Sequence, residues 1–411
     1  MKEKKAKEHK IRKPSFFIYT IPAYIVKSIA RIYWRMKTDN SEIRGLKGPV
    51  LAVSPHASTL DIVPAICTLL PKRYNVVAAK DLFTWKQLAP FMKAFGVIPM
   101  NQCAMDLASI KLMKAASDEG RSILLFPEGR TSMDGRQMTY LNPSIGKLAK
   151  FLGMNIVLVK SEGVYCTKPR YIKGFRRGRI NSKATVLMTA EEVAKAPPKV
   201  IFQKIKESLV YNDNVWQQEN GVKFKAKELA SNLNYVLYKC PRCGAEYRME
   251  AKGDELKCLE CGNTVRYTED GHLVPVGDGI SIDRIDLWFD YERESVAEEL
   301  RAPDFRLEKP VEAFCRNDEK HEYMRVGEGY LYIDKNYIGY IGTKKGAEWR
   351  ADLPIVAVPT IVTKNAEGID LIIEGLTYRF MFTEHKYSAK YALIVESLFA
   401  ERNGLCLTEK K

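Results

Sequence analysis

The sequence predicts an α/β domain, then a small cysteine-rich module, then an antiparallel β domain capped by a terminal helix, over 411 residues. Three observations predict this fold class. Short apolar runs alternate with helical patterns from about residue 48 to 190, which is typical of a sheet whose faces are covered. Two CxxC pairs follow within residues 236–270. Beyond residue 280, strands with short turns precede one final helix, a pattern that indicates a small β barrel or sandwich.

The first element is a basic tail followed by an amphipathic segment. Residues 1–14 carry seven Lys and Arg against two Glu. Residues 15–36 are long enough to cross a bilayer, but Lys27 and Arg31 lie inside them, and a charge at the centre of a span costs about 2.5–3.5 kcal/mol. With Arg35 these cations form one stripe on a helix, so we expect a helix lying in the membrane interface with its cations at the headgroups. A helix packed on its own domain is the alternative.

The net charge of +15 is unevenly distributed along the chain. Through Lys239 there are 41 Lys and Arg against 18 Asp and Glu, whereas the remainder has 24 against 32. The basic half favours an anionic neighbour, such as a membrane, although a solvated surface explains it equally well. The cysteines outside the two pairs are scattered, which indicates reduced thiols in a cytosolic compartment.

The first motif with candidate catalytic residues is His56-Ala-Ser-Thr-Leu-Asp61. The pattern places His56 where a strand ends and Asp61 one to two turns into the next helix. A carboxylate on one ring nitrogen fixes the tautomer, and the other nitrogen is then free to accept a proton from an attacking hydroxyl. Taken alone, the motif also fits an ordinary histidine before a turn.

The second motif is a strand end followed by a polar turn, with the sequence FPEGRTS. Glycine lets the backbone approach a ligand closely, and arginine offers a planar fork that suits a phosphate. The hydroxyls and nearby amides suit the same group or an oxyanion. A polar turn before a helix is the alternative for this motif alone. The candidate substrate-binding residues are Glu128, Gly129, Arg130, Thr131 and Ser132.

HxxxxD followed some seventy residues later by FPEGRTS resembles the glycerolipid acyltransferase family, particularly the 1-acylglycerol-3-phosphate acyltransferases. Residues 96–101 (GVIPMN) and 155–159 (NIVLV) lie where that family has its second and fourth blocks. The resemblance implies a glycerolipid-acyltransferase-type sheet with covering helices. It also implies that His56, held by Asp61, removes the proton of an acceptor hydroxyl, which attacks an acyl thioester or acyl phosphate.

The resemblance further implies the reaction partners. The acceptor is a membrane lipid, 1-acyl-sn-glycerol-3-phosphate giving phosphatidic acid, and the Glu128–Arg130 turn helps to bind its phosphate. The donor is acyl-coenzyme A, acyl carrier protein carrying an acyl group, or an acyl phosphate. We expect a peripheral or monotopic protein on the cytoplasmic side of the cell membrane, at an anionic surface.

Several departures from the family pattern leave the acceptor open. Arg130 precedes Thr131, whereas the family order is the reverse, and residues 100–102 (MNQ) stand where the family brings an arginine onto the phosphate. Lys160 follows the strand where prolines are usual. The six cations within residues 168–179 could replace the missing phosphate ligand, and a solvated basic loop explains them equally well. A different lysophospholipid or an aminolipid is therefore the alternative acceptor.

The third motif comprises two CxxC pairs, each followed by glycine. This spacing predicts a zinc ribbon in which four thiolates close a tetrahedral structural site, since about 35 residues build too small a core without a metal. Redox chemistry at one pair is the alternative. The segment is not strongly basic and lacks interleaved aromatic residues, so we expect no nucleic-acid partner. The predicted zinc ligands are Cys240, Cys243, Cys258 and Cys261.

The final segment resembles a pleckstrin-homology-like or GRAM domain, which implies a lipid- or protein-binding module. The predicted domains are a tail with an interfacial helix (1–40), an acyltransferase domain (41–235), a zinc ribbon (236–270) and this β module (280–403). A non-enzymatic zinc-ribbon protein that binds nucleic acid or lipid remains a further alternative.

Overall fold

The computed structural model describes residues 11–85, 87–102, 106–318, 320, 322–364, 366–384 and 386–405. Residues 1–10 of the predicted basic tail lie outside this part of the chain. The helices are α1 (Ile21–Tyr33), α2 (Ile62–Leu69), α3 (Ala89–Ala94), α4 (Leu107–Asp118), α5 (Ser144–Leu152), α6 (Val164–Thr167), α7 (Ala190–Lys195), α8 (Pro198–Ser208), α9 (Asp213–Glu219), α10 (Ile285–Glu299) and α11 (Ser388–Arg402).

The first sheet contains seven strands in the order β1-β7-β6-β2-β5-β3-β4. Its neighbouring strands are parallel except for β6 and β7, so the predicted α/β domain is confirmed. The strands are β1 (Lys37–Asp39), β2 (Val50–Val53), β3 (Tyr74–Ala79), β4 (Ile98–Met100), β5 (Ser122–Leu125), β6 (Asn155–Glu162) and β7 (Asn181–Met188).

Both faces of this sheet are covered, and its central strand β2 is apolar and buried at every position. Alternate residues of a strand point to opposite faces, and in β2 Leu51 and Val53 pack with α4, α5, α7 and α8. Val50 and Ala52 pack on the other face, with α2. The parallel pairing of β2 with β5 sets Val53 opposite Leu125. The segments that follow these two strands therefore leave the same edge of the sheet.

Helix α1 packs against α2 through a narrow strip. Ala23 and Ala30 are buried, and Lys27 donates to the Cys67 carbonyl at the end of α2 over 2.8 Å, so this cation points into the protein. The rest of α1 and the π-helical turn Phe16–Thr20 before it form an exposed surface, here called the apolar face of α1. Its side chains are Phe16, Phe17, Ile18, Ile21, Tyr24, Ile25, Val26, Ile29, Ile32 and Tyr33.

The remaining strands form two antiparallel sheets. The cysteine-rich module has the order β11-β10-β9-β8, and the C-terminal domain has the order β15-β14-β13-β12-β18-β17-β16, with α11 against it. A separate antiparallel β domain with a terminal helix is therefore present, as predicted. The strands are β8 (Met249–Lys252), β9 (Glu255–Cys258), β10 (Thr264–Tyr267), β11 (Leu273–Pro275), β12 (Arg306–Asn317), β13 (Glu322–Asp334), β14 (Tyr337–Lys344), β15 (Ala347–Pro354), β16 (Val362–Lys364), β17 (Gly368–Ile373) and β18 (Leu376–Phe382).

Candidate active site

His56 and Asp61 lie together at the edge where β2 and β5 end. Nδ1 of His56 is 3.1 Å from Oδ2 of Asp61, so the carboxylate folds back onto the imidazole. The same oxygen accepts the Ser58 amide over 2.7 Å. Asp61 lies directly before α2 and not one to two turns into it, so that part of the prediction was wrong. Asp61 is buried, whereas 21% of the His56 side chain is exposed. The pair thus has one shielded member and one that a substrate can reach.

The surroundings leave Nε2 of His56 available for chemistry. Burial raises the pKa of Asp61, and the hydrogen bond from His56 only partly offsets this effect. The imidazole stacks on Phe126 with ring centres 4.7 Å apart. Among the described residues, Nε2 makes no hydrogen bond, so this nitrogen can accept a proton from a bound hydroxyl.

Hydrogen bonds of Glu128 hold the second motif against the backbone at His56. One carboxylate oxygen accepts the His56 amide and the other accepts the Met138 amide, each over 2.8 Å. In return, the Ser132 amide donates to the His56 carbonyl over 2.9 Å. Burial outweighs the two amide bonds and raises the pKa of Glu128 to about 7. The resemblance implied that this turn helps to bind the acceptor phosphate. In the structure, both oxygens of the Glu128 carboxylate accept backbone amides, so this side chain supports the loop.

Arg130 is buried in the same turn and pairs with Glu396 of α11. Glu396 also pairs with Arg293, over 3.4 Å. The Nε and Nη1 atoms of Arg130 are buried and have no hydrogen-bond partner among the residues that the structure describes. Such donors are costly to leave unsatisfied, and they are suited to an anionic ligand.

The other residues of the turn shape its path. Gly129 has a positive φ of 71°, which glycine adopts without strain. The Ser132 hydroxyl donates to the Arg136 carbonyl over 2.7 Å and accepts the Gly135 amide over 3.0 Å. Thr131 is half-buried between them. Ser132 therefore orders the loop after the turn through bonds within the protein.

The six cations of residues 168–179 separate into different environments. Arg176 is buried, donates to the Leu229 carbonyl over 2.7 Å and lies over the Tyr267 ring, so its role is structural. Arg170 donates to the Thr363 carbonyl over 2.6 Å, and its Nε and Nη1 atoms are buried with no partner in the described part of the chain. Burial and the charge of Arg130 lower the pKa of Arg170 to about 9.

The remaining cations of this segment have other surroundings. The Lys168 ammonium donates to the Ile172 carbonyl, and Lys173 is exposed. Arg177 and Arg179 line a separate cleft. Arg170 is therefore the member of this segment that could join Arg130 in binding an anion.

Sequence reasoning missed the residues that the C-terminal domain brings to this edge. Glu396 lies 266 positions from Arg130, and Arg316 of β12 donates to the Asn101 side chain over 2.8 Å. Asp81 pairs with Lys364 over 2.9 Å, and with Arg379. These residues belong to no recognised motif, so no local pattern could have identified them.

The four predicted zinc ligands come together in the cysteine-rich module. All four sulfur atoms lie within 4.8 Å of one another, and the pairs Cys240–Cys261 and Cys243–Cys258 are 3.7 and 3.8 Å apart. Zinc–sulfur bonds of about 2.3 Å in a tetrahedron require sulfur–sulfur distances of about 3.8 Å. The four cysteines fit a metal such as zinc, and all four positions of the tetrahedron are filled by protein ligands.

A family model matches a segment that lies within the first domain. Residues 35–160 match the family model described as Acyltransferase. Among solved structures, the chain is similar to the 1-acyl-sn-glycerophosphate (LPA) acyltransferase PlsC from Thermotoga maritima, with 15% sequence identity and a TM-score of 0.39, over 46% of this chain and 76% of that chain. Over residues 35–160, which hold both candidate motifs, this chain is therefore similar to the acyltransferase family.

Proposed function

We propose that the protein transfers a fatty acyl group to the free hydroxyl of a lysophospholipid, 1-acyl-sn-glycerol-3-phosphate, giving phosphatidic acid. The observation that carries the proposal is the His56–Asp61 pair, 3.1 Å apart, beside the turn that contains Arg130. Both lie in the segment similar to acyltransferases.

The mechanism follows from the geometry of the pair. Nε2 of His56 removes the proton of the acceptor hydroxyl while its oxygen attacks the acyl carbonyl of the donor. Asp61 stabilises the imidazolium that forms and holds its tautomer. The tetrahedral intermediate then expels the thiolate of coenzyme A or acyl carrier protein, or the phosphate of an acyl phosphate, and His56 returns the proton to that leaving group. No acyl-enzyme forms.

Arg130 and Arg170 are the proposed ligands of the acceptor phosphate. Within the described part of the chain, each has buried Nε and Nη1 atoms without partners, so together they offer donors to a dianion. Glu396 neutralises Arg130 through Nη2, and the Nε and Nη1 donors are left for the substrate. Arginine forks suit phosphate oxygens in this geometry.

A second candidate function is acyl transfer to a different lysophospholipid or an aminolipid. Two observations favour it. The Asn101 side chain is engaged by Arg316, and that of Gln102 donates to the Gly129 carbonyl over 2.7 Å, so neither side chain is free for a phosphate.

We further propose that the protein lies on the cytoplasmic side of the cell membrane through the apolar face of α1. Exposed apolar surface of this extent marks an interaction site. Buried aromatic residues support both ends of the face: Tyr19 contacts Phe95, and Trp34 contacts the exposed Phe175. Among the described residues, no helix combines the length and apolarity that crossing a membrane requires. The C-terminal domain is proposed to be a pleckstrin-homology-like binding module.

The experiment that tests the reaction is acyl transfer from labelled acyl-coenzyme A and acyl-carrier-protein donors to lysophosphatidic acid. We expect His56→Ala to lower the rate on the order of 10²–10⁴-fold. His272→Ala is the matched control, because His272 also pairs with an aspartate, Asp283, over 2.7 Å but lies in the cysteine-rich module. Undiminished transfer by His56→Ala would exclude the mechanism. An acceptor panel that includes aminolipids separates the two candidate functions.

A further inference from the structure

A strongly basic cleft lies at the C-terminal end of α1, away from the candidate catalytic residues. Its volume is about 490 Å³, and its cations are Arg35, Arg177, Arg179, Lys223 and Lys225. No acidic residue lines it, and neither His56, Asp61 nor Arg130 is among its lining residues. Among the described residues, these five cations make one salt bridge, from Lys225 to Glu269 at 4.0 Å, and Lys223 interacts electrostatically with Asp270.

The backbone holds the walls of the cleft in place. Arg177 and Lys225 exchange two amide–carbonyl hydrogen bonds of 2.8 Å each. Between them, Gly178 approaches the buried Phe224 so closely that a β-carbon would lie 2.1 Å from its ring. The Arg179 guanidinium lies over Trp216 at 5.6 Å, and its Nε atom is buried without a partner. The cations therefore converge on a fixed concave surface.

The cleft adjoins the apolar face of α1. The Ile180 amide donates to the Trp34 carbonyl over 3.2 Å, and the Lys37 amide donates to the Ile180 carbonyl over 2.9 Å. These bonds set Arg35 beside Arg179. Ile32 at the end of the helix is 76% exposed, so apolar surface and cationic cleft meet. Apolar side chains beside cations are the arrangement that binds the interface of an anionic membrane.

We propose that this basic cleft binds the phosphate of an anionic membrane-lipid headgroup, as a non-catalytic site that holds the acyltransferase domain on the membrane. The cleft proposal rests on the membrane placement of α1 proposed above. Five converging cations repel one another, and a phosphate bound among them relieves that repulsion. Arginine and lysine both recognise phosphate oxygens.

The test measures partition of the full, zinc-loaded chain between buffer and vesicles of phosphatidylcholine, with or without phosphatidylglycerol. Arg177→Gln with Lys223→Gln removes two exposed charges of the cleft. At about 1 kcal/mol per charge near an anionic surface, we expect a fall of about 30-fold in partition onto the anionic vesicles. Lys199→Gln with Lys204→Gln is the control, because these exposed lysines lie on α8, which packs on the opposite face of the sheet. We expect this pair to change partition less than about 3-fold.

Each result bears on the proposal. Equal losses in the two pairs would replace a headgroup site with general attraction, and no loss in the cleft pair would overturn the proposal. Calorimetric binding of inorganic phosphate as tight as vesicle binding would assign the cleft to a free phosphate, and RNA or DNA binding lost in the cleft pair would assign it to nucleic acid. Partition is measured equally well on the His56→Ala chain, so failure of the cleft and failure of the proposed reaction are distinguishable.

Discussion

Arg130, in the turn after β5, forms a buried ion pair with Glu396 on the C-terminal helix α11. The partners lie 266 positions apart, and Arg293 and Thr360 also contact the Glu396 carboxylate. The antiparallel β domain therefore packs against the candidate active site, and Arg130 of that site supplies one of the two charges in the contact. We expect this pair to stabilise the packing of the β domain against the α/β domain.

Glu396→Gln tests this stabilisation. The substitution leaves Arg130 and Arg293 buried without a counterion, so we expect the free energy of unfolding to fall by about 3–5 kcal/mol in urea titrations. Glu401→Gln, an exposed position on the same helix, is expected to change it by less than about 0.5 kcal/mol. Arg130→Met combined with Glu396→Leu should recover most of the loss, since an apolar pair needs no counterion. Equal stability of Glu396→Gln and wild type would exclude this stabilisation.

Asp61→Asn separates the role of the carboxylate from substrate binding. Asparagine keeps the size of the side chain but cannot stabilise an imidazolium, so we expect kcat for acyl transfer to fall on the order of 10²–10⁴-fold. KM for the acceptor should change little, because Asp61 is buried behind His56. Asp118→Asn, at an exposed site on α4, is the control. A rise in KM with unchanged kcat would show that Asp61 does not orient the base.

Cys243→Ser tests the metal site. Cys243 is exposed, so the substitution removes a ligand with little loss of packing. We expect zinc measured by atomic emission to fall to background and the thermal midpoint to drop by at least about 5 °C, since binding energy at a structural zinc site is folding energy. Cys315→Ser, outside the cluster, should retain the metal. Cys243→Ser protein with full zinc and an unchanged midpoint would exclude a structural site.

The raised pKa of Glu128 makes the free energy of unfolding depend on pH. Burial raises its pKa in the folded protein to about 7 from an ordinary value of 4.5. A raised folded pKa gives stability that is fully present below the ordinary value and is lost as the pH rises through about 7. We expect the unfolding free energy of wild type relative to Glu128→Gln to fall by about 3 kcal/mol between about pH 4.5 and about pH 8. A difference that is constant with pH would show that Glu128 does not titrate in this range.

Asp81 of the α/β domain forms a second ionic contact with the C-terminal domain, through Lys364 and Arg379. Burial alone would raise its pKa, but Lys364, Tyr323 and Arg379 together lower it to about 2. We expect Asp81→Asn to leave Lys364 and Arg379 to share Asp370 as their counterion, and to speed hydrogen exchange of strand β16 by about 10-fold or more, corresponding to at least about 1.4 kcal/mol. Faster exchange in other strands, with β16 unchanged, would show that Asp81 does not stabilise the packing of β16. The stabilisation is present above about pH 3.8 and is lost as the pH falls through about 2.

The sequence by itself determined the features that depend on near neighbours. Strand and helix periodicity predicted the α/β domain, and the five-residue spacing from His56 to Asp61 predicted their contact, because one turn of chain joins them. The CxxC spacing likewise predicted the cysteine cluster. The wide exposed surface of α1 also agrees with its amphipathic pattern, except that Lys27 points into the protein.

The tertiary structure alone decided what the polar residues of the turn contact. Arg130 meets Glu396, and the Glu128 carboxylate accepts two backbone amides. It also decided that, among neighbouring cations of one loop, Arg170 lies close enough to Arg130 to feel its charge, while Arg177 lines the basic cleft. A local sequence pattern predicts which face of a helix or strand is buried. The ionic partner of a charged residue is set only when elements far apart in the chain pack together. The choice between a buried counterion, a substrate phosphate and a lipid headgroup is therefore made by packing.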